Sequence, residues 1–396
     1  MTRLLTMAGK WLLCVLSLSL WELQAQDRWE AWHYYINPKG EQALKVSAKS
    51  INAFSDGVAW IEKAHFDGSK SFWNYALIDT KGQLILPPHY DRTYPFKEGV
   101  AVVRKRGESK FILIDKEGKQ VCSQQFDSPP LITEGMIRFE ENKRYGYLNL
   151  KGEVVVPAKY VDTGGFKEGY CCVAIERDAQ TWLYGFIDKT GKEVIPCVYN
   201  QAGTSSFEDG LARMRMPNGL TGFINAKNEV VVPGKYATAS TYREGFYPAA
   251  FGPNHTQWGL VNKQNQVVIP GRYDDMQPVY NGIVMVALKG KYGALKTDGS
   301  VHIPLEYDEY YYKFHEDGLI VAKKGERSFV ILASGKVIGQ DGITPGAVNL
   351  EEEAMPFYTA DRRWGLMDFD GNILLAPTYC FIGRFSSGLA PVKLCE

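Results

Sequence analysis

The chain has 396 residues, 45% of them apolar and 23% charged, which is far too apolar for disorder and long enough for one large folded body or two ordinary domains. Lys plus Arg and Asp plus Glu both number 45, and no segment gathers the basic charge that phosphate neutralisation needs, so nucleic acid is excluded as an expected partner.

Residues 1–25 come first in the chain. Arg3 and Lys10 precede an apolar run from Trp11 to Leu20, and Leu23-Gln24-Ala25 follows, the pattern of a secretory signal. The run is too short to span a bilayer. Leu13 stands before Cys14 where a lipoprotein signal needs a small residue, so no lipid anchor is expected. The expectation is a mature chain from about Gln26, exported to the periplasm, the cell surface or the medium, without a membrane span and monomeric.

From residue 26 to the end the text is periodic. A glycine recurs at Gly40, Gly82, Gly118, Gly152, Gly191, Gly299, Gly335 and Gly371, with Asn228 and Asn265 in its place in two units. Successive steps run from 34 to 42 residues, giving about ten units, and a period in this range marks a solenoid, propeller or array. Asn replaces Gly best where the backbone is left-handed, so the column requires positive φ. Three residues earlier stand Asp79, Asp115, Asn149, Asp188, Asn225, Asn262 and Asp368, whose short side chains accept from the amides of their own turn. Asp-x-x-Gly between two apolar runs predicts a type I turn with a left-handed bulge residue, joining antiparallel strands.

A β-branched run follows each turn and reaches a proline, such as Pro157, Pro196, Pro233 or Pro270, where the strand is expected to stop for want of a ladder donor. Two or three residues later comes a tyrosine, among them Tyr160, Tyr199, Tyr236 and Tyr273. Next is an aromatic, usually an acid, and a glycine, as at Phe54, Phe96, Phe166, Phe207 and Tyr242, and then another apolar strand. An aromatic-Gly pair opens the following strand at Tyr145, Tyr184, Trp258, Tyr292 and Trp364. Each unit therefore reads as a three-stranded antiparallel meander. The fold class expected is all-β, a tandem array over 26–396, with an open superhelix favoured over a propeller-like arrangement.

These features resemble the WG-repeat family of bacterial proteins: Trp258-Gly259 and Trp364-Gly365, the Tyr-Gly variants, the Asp-x-x-Gly turn, the Pro-to-Tyr spacing, and Phe207 to Ala212. The aromatic-Gly pair is incomplete at Thr221-Gly222, Phe111 and Phe329. The resemblance implies a repeat scaffold, generally without an enzymatic role, and names no ligand.

Candidate sites are few. The recurring aromatics suit a stacking surface for sugars or bases, but a residue repeated in every unit is more simply the piece that packs each unit on its neighbour. The acids Asp56, Glu98, Glu168, Asp209 and Glu244, each before a glycine, read as turn chemistry rather than a ligand channel. The six histidines form no i, i+4 pair, and there is no nucleophile elbow, phosphate loop or dinucleotide fingerprint, so no catalytic, metal or cofactor site is expected. Outside the leader the cysteines number six: Cys171 falls in a column otherwise held by alanine, Cys172 points to the opposite face, and Cys380 and Cys395 sit where they can staple the C-terminal edge.

One segment breaks the rhythm, in a divergent eighth unit near 325–360. Between Gly339 and Pro356 the usual signals are missing, and Asp341 with the run Glu351, Glu352, Glu353 marks a candidate partner-binding insertion. The function expected is a non-catalytic scaffold for an unknown protein or polysaccharide, with a secreted glycan hydrolase as the alternative, since scattered carboxylates sometimes converge in space.

Overall fold

The computed structural model describes residues 31–66, 70–178, 181–200, 206–252, 254–311, 319–332, 334–339, 343–346, 352 and 354–395; the expected leader lies outside them. Every regular element among these residues is a strand. The chain divides into two compact units: one takes in the chain up to Val121, Gln125–Ser128 and Gly346–Glu396, the other Cys122–Gln124 and Pro129–Pro345.

The second unit is built from six antiparallel sheets, five of them four-stranded among the described residues. One shows the plan: Asp162–Thr163, Tyr170–Asp178, Thr181–Asp188 and Glu193–Tyr199 pair in that order. The repeat is thus four-stranded rather than three-stranded. The additional strand is only two residues long, too short to show a hydrophobic period of its own.

The Asp-x-x-Gly turns are as the sequence dictates. The Gly191 amide donates to the Asp188 carbonyl at 2.9 Å, and Asp188 Oδ1 accepts from the amides of Thr190 and Lys192 at 2.9 and 3.1 Å. Gly191 has φ +81°, and Asn228 and Asn265 take the same left-handed backbone at +61° and +62°.

The proline does not end its strand. Glu193–Tyr199 runs straight through Pro196, and between the pairs Phe186 with Ile195 and Tyr184 with Tyr199 the outer strand bulges against Gly185. Proline is accommodated because the bulge takes its missing donor out of the ladder. The bulge in turn explains the glycine of the aromatic-Gly pair. A Cβ on Gly185 would lie 2.4 Å from the Ile195 carbonyl oxygen, and at Gly259 and Gly365 the distances to Ile269 and Leu375 oxygens are 2.6 and 2.5 Å. The aromatic beside that glycine faces the tyrosine beyond the proline in unit after unit, as Tyr145 with Tyr160, Tyr184 with Tyr199, Trp258 with Tyr273 and Tyr292 with Tyr307.

Both faces of each inner strand are covered, which is why these strands read as continuous apolar runs. Cys171 and Val173 join Met136, Tyr147, Val156 and Tyr160 of the preceding sheet. Cys172 turns the other way, into a cluster with Phe186, Phe207, Ala212 and Ile224 of its own and the following sheet. Successive sheets therefore pack face to face, each contributing one side of the next core.

In the first unit, Ser50–Ile51, Val58–Phe66, Ser71–Asp79, Leu84–Thr93, Ala101–Lys105 and Ile112–Ile114 form one sheet. Another runs in the order Gln42–Ala48, Ala31–Ile36, Ala390–Leu394, Ile373–Ile382, Trp364–Asp368, Ala354–Thr359. Strand Ala31–Ile36, from the start of the described chain, thus pairs with Ala390–Leu394 from its end, Tyr34 opposite Val392 and Ile36 opposite Ala390. The first and last repeats thus share one sheet.

Candidate functional site

The aromatic-acid-Gly turns are the most polar recurring feature, and their carboxylates have a role between repeats. Ser55 and Val58 exchange two backbone hydrogen bonds around Asp56 and Gly57, both at positive φ (52° and 77°), which is the two-residue hairpin with two left-handed positions. Glu98, Glu168, Asp209 and Glu244 sit in the same strained backbone at φ between 49° and 54°, where Asn is the favoured residue and Glu is not.

The acid is there because it reaches the next turn. Glu134 accepts from the Gly169 amide at 2.9 Å, Glu168 from Asp209 and Gly210 at 2.8 and 2.9 Å, Asp209 from the amide of Glu244, and Glu244 from Asn281 and Gly282 at 2.7 and 2.8 Å. In the first unit Asp56 accepts from Gly99 at 3.1 Å. Each of these five turns thus clasps its successor. Partial burial opposes ionisation of Glu134, but the Gly169 amide and the Lys189 ammonium, 3.1 Å away, outweigh it and hold this carboxyl below the usual range.

Of the acidic insertion, Asp341, Glu351 and Glu353 lie outside the described residues. Glu352 is described, and its carboxylate accepts from the Gly388 amide at 2.8 Å, the same clasp made by the divergent repeat. Cys380 and Cys395 are joined as a disulfide, with Cα atoms 4.9 Å apart, while Cys122, Cys171, Cys172 and Cys197 are free and buried. Among the described residues no group of three or more His, Cys, Asp or Glu side chains is placed to hold a metal ion, and no helix is long and apolar enough to cross a membrane.

Two features were not read from the sequence. The first is a column of exposed aliphatics at the start of the outer strands: Val154, Val230, Val267, Val301 and Val337 are each 45 to 62% exposed. Reading each β-branched run only as a strand that reaches a proline leaves the column unmarked, because exposure varies along the strand and the residue nearest the turn faces solvent. The second is a cavity of about 370 Å³ in the first unit, where the segments before three turns meet: Asn52-Ala53-Phe54-Ser55, Thr93 with Pro95-Phe96, and Arg384-Phe385-Ser386, floored by Val58 and Trp60. Its rings pack on one another, Trp60 stacked on Phe96 with centroids 5.8 Å apart, and the Trp60 indole N–H donates to the Tyr94 carbonyl at 3.0 Å.

Turns that clasp their successors, bulged outer strands and cores shared between neighbours define an all-β tandem-repeat protein. The WG containing repeat matches the chain at residues 75–108, 145–176, 184–220, 222–251, 258–292, 292–327 and 364–394, more than half of its length, so the chain belongs to the WG-repeat family. Among curated proteins none matches the sequence. Similar solved structures include apo AztD from Citrobacter koseri, 15% identical over 78% of this chain and 94% of that one with a TM-score of 0.31. BamB from Moraxella catarrhalis is 14% identical over 67% and 88%, with a TM-score of 0.32. Hsv2 from Kluyveromyces lactis is 10% identical over 68% and 94%, with a TM-score of 0.32.

Proposed function

We propose that this WG-repeat protein is a non-catalytic scaffold that binds a protein or polysaccharide partner in the cell envelope or outside the cell. One observation carries the reading. The recurring carboxylates are spent on clasps and turns and the recurring aromatics on cross-strand pairs, so the column left facing solvent is the aliphatic one at Val154, Val230, Val267, Val301 and Val337. Exposed apolar residues favour a protein partner over a polysaccharide. Export is supported by the leader-like residues 1–25 and by the Cys380–Cys395 disulfide, which needs an oxidising compartment.

The test is partner capture from envelope extract by the mature chain, compared with a Val230→Lys, Val267→Lys, Val301→Lys variant that keeps its thermal midpoint. A partner held by the first and lost by the second supports the scaffold. Glycan hydrolysis by the purified chain, abolished by one carboxylate substitution that leaves folding intact, overturns it in favour of an enzyme. Intact mass of the exported chain checks the leader: removal of residues 1 to about 25 is expected.

A further inference from the structure

Among the described turns one carries an amide where the clasp has its carboxylate. The left-handed position before the turn glycine is held by Asp56, Glu98, Glu134, Glu168, Asp209 and Glu244, and then by Asn281 at φ 51°. Asn281 is exposed and stands directly before Gly282, itself at φ +72°. The two oxygens of Glu244 receive the backbone amides of Asn281 and Gly282 at 2.7 and 2.8 Å, whereas the Asn281 side chain makes no hydrogen bond among the described residues. The sequence holds one other Asn-Gly pair, Asn218-Gly219. There the side chain is tied at both ends: its oxygen accepts from the Leu220 amide at 3.0 Å and its nitrogen donates to the Gly234 carbonyl at 3.2 Å.

We propose that Asn281 is a site of spontaneous deamidation whose rate is set by the Glu244 clasp. Asn-Gly is the pair in which this reaction meets least obstruction, because glycine has no Cβ to hinder its own nitrogen, and the space around Gly282 is open. The Gly282 nitrogen gives up its proton to a solvent base and attacks Asn281 Cγ; a C–N bond forms, ammonia leaves, and a succinimide remains. Water then opens the ring at either carbonyl, giving aspartate or isoaspartate. The step needs a carboxamide free to swing and a backbone nitrogen free to attack. Asn281 meets the first condition and Asn218 does not. Glu244 withholds the second, since the N–H that it receives has to leave the carboxylate before the nitrogen turns on Cγ.

The two products differ in what they do to the turn. Aspartate tolerates a left-handed backbone much as asparagine does, and Asp209 shows the arrangement: Glu168 receives its amide while its own carboxylate receives that of Glu244. Deamidation to aspartate therefore gives this turn the acid that its counterparts carry. Isoaspartate instead adds a backbone carbon between Tyr280 and Ile283, whose two mutual hydrogen bonds at 2.8 and 3.1 Å close the hairpin, and so breaks its register.

This site goes beyond the scaffold reading and is tested without any macromolecular partner. The mature chain is incubated in warm, mildly alkaline buffer, native and in urea, and its peptides are followed by mass analysis for the amide-to-acid conversion. In the native chain Asn281 should convert ahead of Asn218 and of every other asparagine, yet more slowly than it does in urea, where the two Asn-Gly pairs should react alike. Glu244→Ala should speed conversion at Asn281 by about fivefold or more, the factor that one net hydrogen bond represents, and leave Asn218 unchanged. Glu168→Ala, which breaks a clasp elsewhere, should leave Asn281 unchanged. Native Asn218 reacting as fast as Asn281, native Asn281 reacting at its rate in urea, or an E244A rate equal to that of the unsubstituted chain would each overturn the proposal. If E244A does not fold, the native-against-urea comparison on the unsubstituted chain decides alone.

Discussion

The Glu168 carboxylate and the Asp209 amide lie 2.8 Å apart across 41 residues of sequence, and the second oxygen of the same carboxylate takes the Gly210 amide at 2.9 Å. Glu168 itself occupies a left-handed backbone that disfavours it, at φ 52°. Local strain in one turn is therefore offset by a contact with the next. The clasp is directional, since Asp209 then reaches Glu244, and Glu244 reaches Asn281 and Gly282. It joins sheets whose apolar faces pack on one another.

Removing that carboxylate isolates the clasp, because alanine suffers the same left-handed strain as glutamate. Glu168→Ala is expected to cost about 1 kcal/mol, a charge-assisted pair discounted for its exposure to water. Glu168→Gln should cost less, since one acceptor remains. Glu140→Ala, an exposed acid on the hairpin strand Met136–Glu141, is the control. Urea unfolding that found Glu168→Ala and Glu140→Ala alike would show the clasp to be incidental.

The two glycine columns should fail in different ways. At Gly299 the need is for φ +86°, with Ile269 Cγ1 at a comfortable 3.7 Å from an added Cβ. Gly299→Ala should therefore lose about 1 to 2 kcal/mol and Gly299→Asn clearly less. Gly191 is a poorer test of backbone strain, because there the Cβ also meets Val156 Cγ2 at 3.0 Å. At Gly185 the need is for space against the Ile195 carbonyl, so Gly185→Ala and Gly185→Asn should both be severe, beyond about 3 kcal/mol or unable to fold. Thermal midpoints of the four variants decide; an asparagine tolerated at Gly185 would refute the close-approach account.

Much of this was legible in the sequence. A column that alternates Gly with Asn announces its φ within a single repeat, and every such turn has the expected backbone. Cys171 and Cys172 fall on opposite faces as strand alternation requires. What the text hides is interaction between repeats. The acids looked like local turn chemistry because their acceptor role is filled about one period away. Pro196 looked like a terminator because the bulge that excuses its missing N–H is set by Gly185 on the neighbouring strand. The pairing of Ala31–Ile36 with Ala390–Leu394 joins residues too far apart for any periodic signal. The cavity needs three repeats at once.

Acid should unfold the protein through its turns. Asp298 is held below the ordinary aspartate range by the Ser300 hydroxyl and amide, and Asp368 by the Asn372 side chain and amide. A carboxyl with a lower pKa folded than unfolded contributes stability at neutral pH that is lost as pH falls through its folded value. The thermal midpoint should therefore fall between about pH 4 and pH 2. Asp298→Asn keeps the accepting oxygen and removes the titration, so its midpoint should depend less on pH over that window. An identical profile for the variant would show that this turn does not report on acid unfolding.

The disulfide should stabilise through the C-terminal edge. Cys380 and Cys395 are 15 residues apart, a loop whose closure is worth about 3 kcal/mol on chain-entropy grounds, and the last strand that it secures is the one paired with Ala31–Ile36. Cys395→Ser is expected to lower stability by about 2 to 3 kcal/mol, and reduction of the unsubstituted chain should do the same. The remaining thiols should stay silent in the native state. Burial pushes the Cys171 thiol up to about 11 and Cys197 to about 12, so little thiolate is present near neutral pH and access is blocked as well. Iodoacetamide followed by peptide mass analysis should leave Cys171, Cys172 and Cys197 unmodified until urea is added. In reduced native protein Cys380 and Cys395 should react first. Rapid native labelling of Cys171 would mean that the core between its sheet and the preceding one opens readily, contrary to the face-to-face packing described.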